Sequence, residues 1–451
     1  MLIRNATLPD GHQRDVRVRG ESIVEVGRDL DTSDQHVIEA TGKRLFPGMV
    51  DAPVPFRQPG YPHKETWETG SRAAAAGGVT TVVDQPNTDP PTIDGEAFDQ
   101  KAEFAADSVV DWGINGGVTA DWIPNVLLRR RLFALGEVFL ADSTGDMGIE
   151  ADLFAEALQR ANSRDVAVTV HAEDASLFNP SAKEREDADA WSAFRTARAE
   201  REAVRRACEV ATDQDVRIHV AHTSTPEGID VAANAGMTCE VTPHHMLLSR
   251  SDLRDLGTYG RMNPPLRREK RRQQVYDRVA DGTVDMIATD HAPHTDEEKD
   301  ASIWEAPSGV PGVETALPLL LAEVKHGDLT WERVRDLTAA NPAAVFDLPQ
   351  KGRIETGRDA DLVLVDPAET REIHADDLHT KCDWTPFEGW EGVFPEWTMV
   401  RGEFVYDRSR DDPFDEIRGQ NVRGEPEDTP TAGGTGEGTR ADAGESGADG
   451  A

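Results

Sequence analysis

The sequence predicts an α/β fold: a parallel (β/α)8 TIM barrel with a small composite β-sandwich drawn from both chain ends. Two observations carry this. Short apolar, β-branched segments alternate with helical ones after residue 47, and eight of them can be counted. Strand-like runs separated by turn residues fill the first 47 residues and return near the end. A chain of 451 residues is long enough for one large domain with an accessory one.

In chain order, the opening runs LIRNATL, VRVRG, SIVEVG and HVIEATG form the first part of the sandwich, residues 1–47. The barrel follows over 48–345. Its strands fall at Pro47–Val54, Val79–Asp84, Val110–Val118, Gly136–Leu140, Val166–His171, Val216–His222, Thr238–Thr242 and Val284–Thr289. Helices are expected between them at Glu65–Ala76, Ala151–Asn162, Trp191–Thr212, Pro226–Ala235 and Glu269–Ala280. A doubly wound open sheet is the competing architecture, and the lack of a GxGxxG after any strand counts against it. GRIETGRDADLVLVD and WTMVRGEFVYD supply the second sandwich part, 346–410. The remainder, 411–451, is rich in Gly, Ala, Thr, Asp and Glu and is expected to be a disordered acidic tail, since it has little to bury.

The formal net charge is −36. Such a surface repels nucleic acid and anionic membrane, so neither is expected as a partner. It suits a halophilic protein, because at about 1 M ionic strength the screening length falls to roughly 3 Å. Cys208, Cys239 and Cys382 are widely spaced and read as free thiols. The start MLIRNATLPDG has neither the basic residues nor the apolar stretch of a signal peptide, so a cytoplasmic location is expected.

In a parallel barrel the chemistry sits at the carboxyl ends of the strands. Metal-binding side chains follow apolar cores at three such ends: His171 after the fifth strand, His219 and His222 at the sixth, Asp290 and His294 after the eighth. Residues three apart cannot share a strand face. His222, beside the loop, is therefore read as the functional residue and His219 as structural. Two histidines and a carboxylate suit zinc.

These residues belong to a wider set: QPNTDP (85–90), VHAED (170–174), AHTST (221–225), EVTPHH (240–245), MNPPLR (262–267), TDHAPH (289–294), PSGVPGVET (307–315) and TPFEG (385–389). On these motifs the chain resembles the dihydroorotases, cyclic amide hydrolases of the amidohydrolase superfamily, over roughly residues 1–407. The resemblance implies zinc-dependent interconversion of (S)-dihydroorotate and N-carbamoyl-L-aspartate in pyrimidine synthesis. It implies that His171 and His222 bind one zinc, and that Asp290 contacts a second metal and serves as general base and acid. Arg57, Asn87, Asn263 and His294 would hold the substrate, with Ser308 and Gly309 in the loop against its ring. Arg57 matters most for substrate choice, because a planar, permanently charged fork suits the dihydroorotate carboxylate.

Two positions depart from the family pattern. Where the first strand should end in His-x-His, this chain has Pro53 and Pro55, and proline cannot bind zinc. On the fourth strand, Glu137 stands where many relatives carry a carboxylated lysine that bridges two metals; it either ligates metal or pairs with a nearby arginine. One zinc is expected here instead of the family's two. Alternative readings are a catalytically impaired homologue acting as a structural partner in an aspartate transcarbamoylase complex, and a cyclic amidase of hydantoinase or allantoinase type. A homo-oligomer is compatible with either reading.

Overall fold

The computed structural model describes residues 1–33, 35–140, 147–327, 329–415 and 419–424. Eight parallel strands form the barrel: Met49–Asp51, Val79–Asp84, Asp111–Ile114, Ala134–Leu140, Ala167–Ala172, His219–Val220, Thr238–Val241 and Met286–Ile287. Strands one to three pair in sequence order, as do strands four to eight. Strand three joins strand four through Gly116, whose N–H donates to Ala134 O at 2.9 Å and whose carbonyl accepts from Gly136 N at 2.9 Å. Between strands eight and one, the Asp51 carboxylate accepts from the Thr289 N–H at 2.8 Å and from its hydroxyl at 2.6 Å. A side chain thus fastens the seam at which the first and last strands meet.

Alternation along the strands divides the core. Val82, Leu135, Val170, Val220 and Ile287 pack outward against helices, whereas Val50, Val83, Ala134, Met286 and Ala288 fill the interior with Phe133 and Phe346. The helix Trp67–Ala76 presents small residues to the barrel, and Thr66 with Thr69 closes a capping box at its start.

Both chain ends enter one eight-stranded sheet. Its order is Glu403–Asp407, Pro395–Val400, Leu362–Val365, Arg44–Pro47, Leu2–Thr7, Gln13–Arg19 and Ser22–Gly27, with Val37–Glu39 also on Leu2–Thr7. Ile3, Val16, Ile23, Leu45, Leu362, Leu364 and Met399 form its core. Lys351 ties sheet to barrel, with its ammonium 2.5 Å from Asp111, 2.6 Å from Asp361 and 3.1 Å from Asp359. That aspartate cluster already holds its cation.

Two sequence expectations need correction. The helix expected over Trp191–Thr212 is two helices, Asp189–Phe194 and Ala197–Asp213. The chain turns extended at Arg195, and the Thr196 hydroxyl caps the second helix by accepting from Ala199 N. The disorder expected from residue 411 does not hold over 411–415, where Asp407 N donates to Pro413 O at 2.8 Å, or over 419–424. There Trp112 N donates to Gln420 O and Val422 N to Trp112 O, both at 2.9 Å, while Arg423 donates to Phe346 O at 2.7 Å. Main-chain pairing and one arginine hold this segment against the barrel, and neither leaves a mark on composition. Residues 425–451 lie outside the described residues. Among the described residues no helix is long and apolar enough to cross a membrane.

Candidate active site

A cleft of about 490 Å³, measured out to its open mouth, sits at the carboxyl ends of the strands. Arg57, Asn87, Glu137, His171, His222, Asn263, Asp290, Ser308 and Gly309 all line it. His294 stands directly behind, its Nε2 3.1 Å from Arg57 Nη2 and 3.1 Å from Ser308 O. His219 is elsewhere, between Thr238 and Glu240, at 2.9 Å from each. Arg57, His222 and Asp290 have positive φ values of 63°, 33° and 46°. Non-glycine residues held in the left-handed region store strain and cluster at functional sites. Here each lies in the loop that follows its strand.

Glu137, His171 and His222 converge. His222 Nε2 is 2.9 Å from Glu137 Oε2, His171 Nδ1 is 3.1 Å from His222 Nε2, and His171 Nδ1 is 3.6 Å from Glu137 Oε2. Donor atoms about 2.0–2.1 Å from a tetrahedral zinc stand roughly 3.3–3.4 Å apart, so these spacings fit one such ion with a position to spare. Behind the triad, Glu173 Oε2 lies 3.5 Å from His171 Nε2 and is held by Arg195 at 2.7 Å. A carboxylate on that nitrogen leaves Nδ1 as the ligating atom. Burial opposes the charge on Glu137, but His222 and His171 overcome it and hold the carboxyl below the usual range. The same pairing raises His222 above the ordinary histidine value despite burial.

Asp290 lies outside that triad. Burial, together with the charge of Glu137, pushes its carboxyl well above the usual carboxylate range. No described residue donates a hydrogen bond to its carboxylate, which leaves it free to exchange a proton in the cleft. Arg57 is 9% exposed, and burial lowers its pKa. It donates to Pro293 O at 3.3 Å, and no described carboxylate lies within ion-pairing distance. Burial, followed by the charges of Arg57 and Lys64, holds His294 neutral. Gly309 fits where no larger residue could: its φ is +135°, and a Cβ there would stand 2.6 Å from Ala292 O.

Pro55 lines the cleft, and Pro53 lines a small hollow beneath it with Gln85, Asn115 and Glu137. Both therefore face the space beside Glu137, and neither offers a ligand. Sequence reading missed Gln85 and Phe139, which also line the cleft. Gln85 Oε1 accepts from Glu137 N at 2.7 Å and so helps to place that carboxylate. Its position directly after the second strand was the available signal.

The amidohydrolase family model matches residues 44–405. A dihydroorotase from Halobacterium salinarum is 64% identical over 423 residues, covering 94% of this chain and 99% of that protein. The chain belongs to the dihydroorotases of the amidohydrolase family. A dihydroorotase from Methanosarcina acetivorans is 43% identical over 412 residues, covering 87% of this chain and 88% of that one. Among solved structures, the L-hydantoinase (dihydropyrimidinase) of Arthrobacter aurescens superposes with a TM-score of 0.85 at 26% identity, covering 94% of this chain and 98% of its own. The dihydropyrimidinase of Brevibacillus agri gives 0.86 at 27% identity, covering the same 94% and 98%. Dihydroorotases are metal-dependent cyclic amide hydrolases, and the Glu137, His171 and His222 donor set suits such a metal.

Proposed function

We propose that this dihydroorotase, a cytoplasmic enzyme, reversibly opens (S)-dihydroorotate to N-carbamoyl-L-aspartate with a single zinc held by Glu137, His171 and His222. The observation that carries the reading is Arg57: a buried guanidinium without a carboxylate partner among the described residues, facing the same cleft as the triad. A buried cation in that state calls for an anionic ligand. Dihydroorotate brings a carboxylate beside a cyclic amide, whereas a plain hydantoin ring does not.

Within the cleft, Arg57 and Asn263 hold the substrate carboxylate, with Asn87 beside them. His294, kept neutral, packs between Arg57 and the Ser308 loop. A zinc ion bound by the triad would lower the pKa of water and polarise the ring carbonyl. Asp290, whose proton affinity burial raises, takes the proton from the attacking water and returns it to the departing ring nitrogen. In the direction of synthesis the same carboxylate receives the proton released by the ureido nitrogen as the ring closes.

The test is cyclisation of carbamoyl aspartate in molar KCl with added zinc, with hydantoin hydrolysis run alongside. Chelator-sensitive turnover of carbamoyl aspartate well above that of hydantoin supports the reading. Preference for hydantoin would move the chain to hydantoinase chemistry. Zinc binding without turnover would favour a structural role beside a pathway enzyme.

A further inference from the structure

We propose that Trp191 is a positioning residue that fixes the Asn263 amide as a donor to the substrate; this rests on the functional reading above. Trp191, on the helix Asp189–Phe194, is not itself among the residues that line the cleft. Its indole Nε1 is 3.1 Å from Met262 O and 3.1 Å from Asn263 Oδ1. An indole N–H can only donate, so whatever faces it must accept. The Asn263 oxygen is thereby turned toward Trp191, and its NH2 group is left for the cleft. A side chain that could present either end is set as a donor, which matches a carboxylate or ring carbonyl and rejects a ligand offering N–H at that place.

The same indole steadies the opposite loop. Arg261 stacks on its ring with the guanidinium carbon 3.8 Å from the ring centre. Arg261 Nε donates to the Ser308 hydroxyl at 3.2 Å, and Arg261 O accepts from Gly309 N at 3.0 Å and from Lys299 Nζ at 3.2 Å. Lys299 also donates to Pro307 O and Gly309 O, both at 3.0 Å. Asn263 and the Ser308–Gly309 loop, though distant in sequence, are thus referred to one aromatic side chain. Trp191 is itself wedged against Phe194 and Trp304, with ring centres 5.8 Å away in each case.

The experiment measures dihydroorotate affinity by calorimetry, and KM and kcat for carbamoyl aspartate, on zinc-loaded protein in molar KCl. It compares the parent, Trp191→Phe, Asn263→Ala and the double variant. Phenylalanine keeps an aromatic six-membered ring and removes the N–H together with the rest of the five-membered ring. Trp191→Phe is expected to raise Kd and KM about tenfold, the order of one lost hydrogen bond in a closed site, with kcat changed less than twofold. In the Asn263→Ala background the same substitution is expected to shift Kd less than twofold, because the amide that the N–H orients is gone while an aromatic ring still faces Arg261. An equal shift in both backgrounds, or a lower melting temperature with unchanged affinity, would overturn the proposal. A parent that binds no dihydroorotate would overturn it together with the functional reading, and only that result touches both.

Discussion

Glu137 Oε2 and His222 Nε2 stand 2.9 Å apart, both buried at the floor of the cleft, with His171 Nδ1 closing the triangle. Removing the carboxylate charge leaves two imidazoles and no anion among the three donors. For Glu137→Gln, zinc affinity is expected to fall by more than the roughly 10–100-fold typical of losing an outer-shell partner. Competition with a chromophoric chelator measures it. Unchanged affinity would mean that Glu137 is not a ligand.

Arg57 gives the sharpest statement about substrate. Truncating one partner of a buried charge pair costs about 2–5 kcal/mol, which is roughly 30-fold to several thousand-fold. Arg57→Met should lower kcat/KM for carbamoyl aspartate within that span. Arg57→Lys should recover only part, since an ammonium cannot reproduce the fork. Neither change should impair residual hydantoin hydrolysis comparably. Equal losses on both substrates would place Arg57 in the framework and not in carboxylate recognition.

Asp51 offers a pH test away from the cleft mouth. Burial pushes its carboxyl up to about 8, although Thr289 donates to it twice. The folded state therefore retains a proton that the unfolded chain releases near pH 4. The stability this contributes is full below about pH 4 and is lost as the pH rises toward 8. Asn at this position keeps an acceptor for the Thr289 N–H and cannot ionise. Melting curves in molar KCl should show Asp51→Asn gaining on the parent between pH 5 and 8 (~4 to ~8 being the titrating window). A constant difference across that range would show that Asp51 does not titrate there.

Much of the fold was readable because a parallel barrel buries its strands on both faces, leaving apolar β-branched runs at Val79–Asp84 and Ala167–Ala172 with Asp84 and His171 at or beside the end. The candidate residues His171, His222 and Asp290 each follow such a run, and they line one cleft. What escaped was held by contacts that leave no periodic trace. The break at Arg195 depends on a threonine cap and on Glu173 far back in the chain. Gln85 acts through a main-chain N–H on another strand, and residues 419–424 are placed by backbone pairing to Trp112. The link from Trp191 to Asn263 joins segments more than seventy residues apart in sequence, a separation (|i−j| = 72) that no local pattern spans.

The acidic surface bears on stability directly. A net charge of −36 repels itself in dilute buffer, and at about 1 M salt the screening length of roughly 3 Å suppresses that repulsion. Exposed pairs such as Arg205 with Glu202 weaken under the same screening, but each is worth little. The melting temperature should therefore climb steeply from low to molar KCl. A flat profile would show that the charge is carried without adaptation to salt.

Pro53 and Pro55 leave the first-strand side of the site without a metal ligand. Both face the space beside Glu137, the place where the family's first-strand imidazoles would reach a second metal. With prolines there, that place has Glu137 and Asp290 but no nitrogen ligand from the first strand. The double substitution Pro53→His and Pro55→His would put two imidazoles back on the interior face. Metal analysis of dialysed protein should then rise from one zinc per chain in the parent to two in the variant, with turnover rising alongside. Glu137, already anionic and placed by the Gln85 side chain, could serve both ions without any modification. Two tightly held ions in the parent, or one in both proteins, would mean that the first strand does not control the second metal.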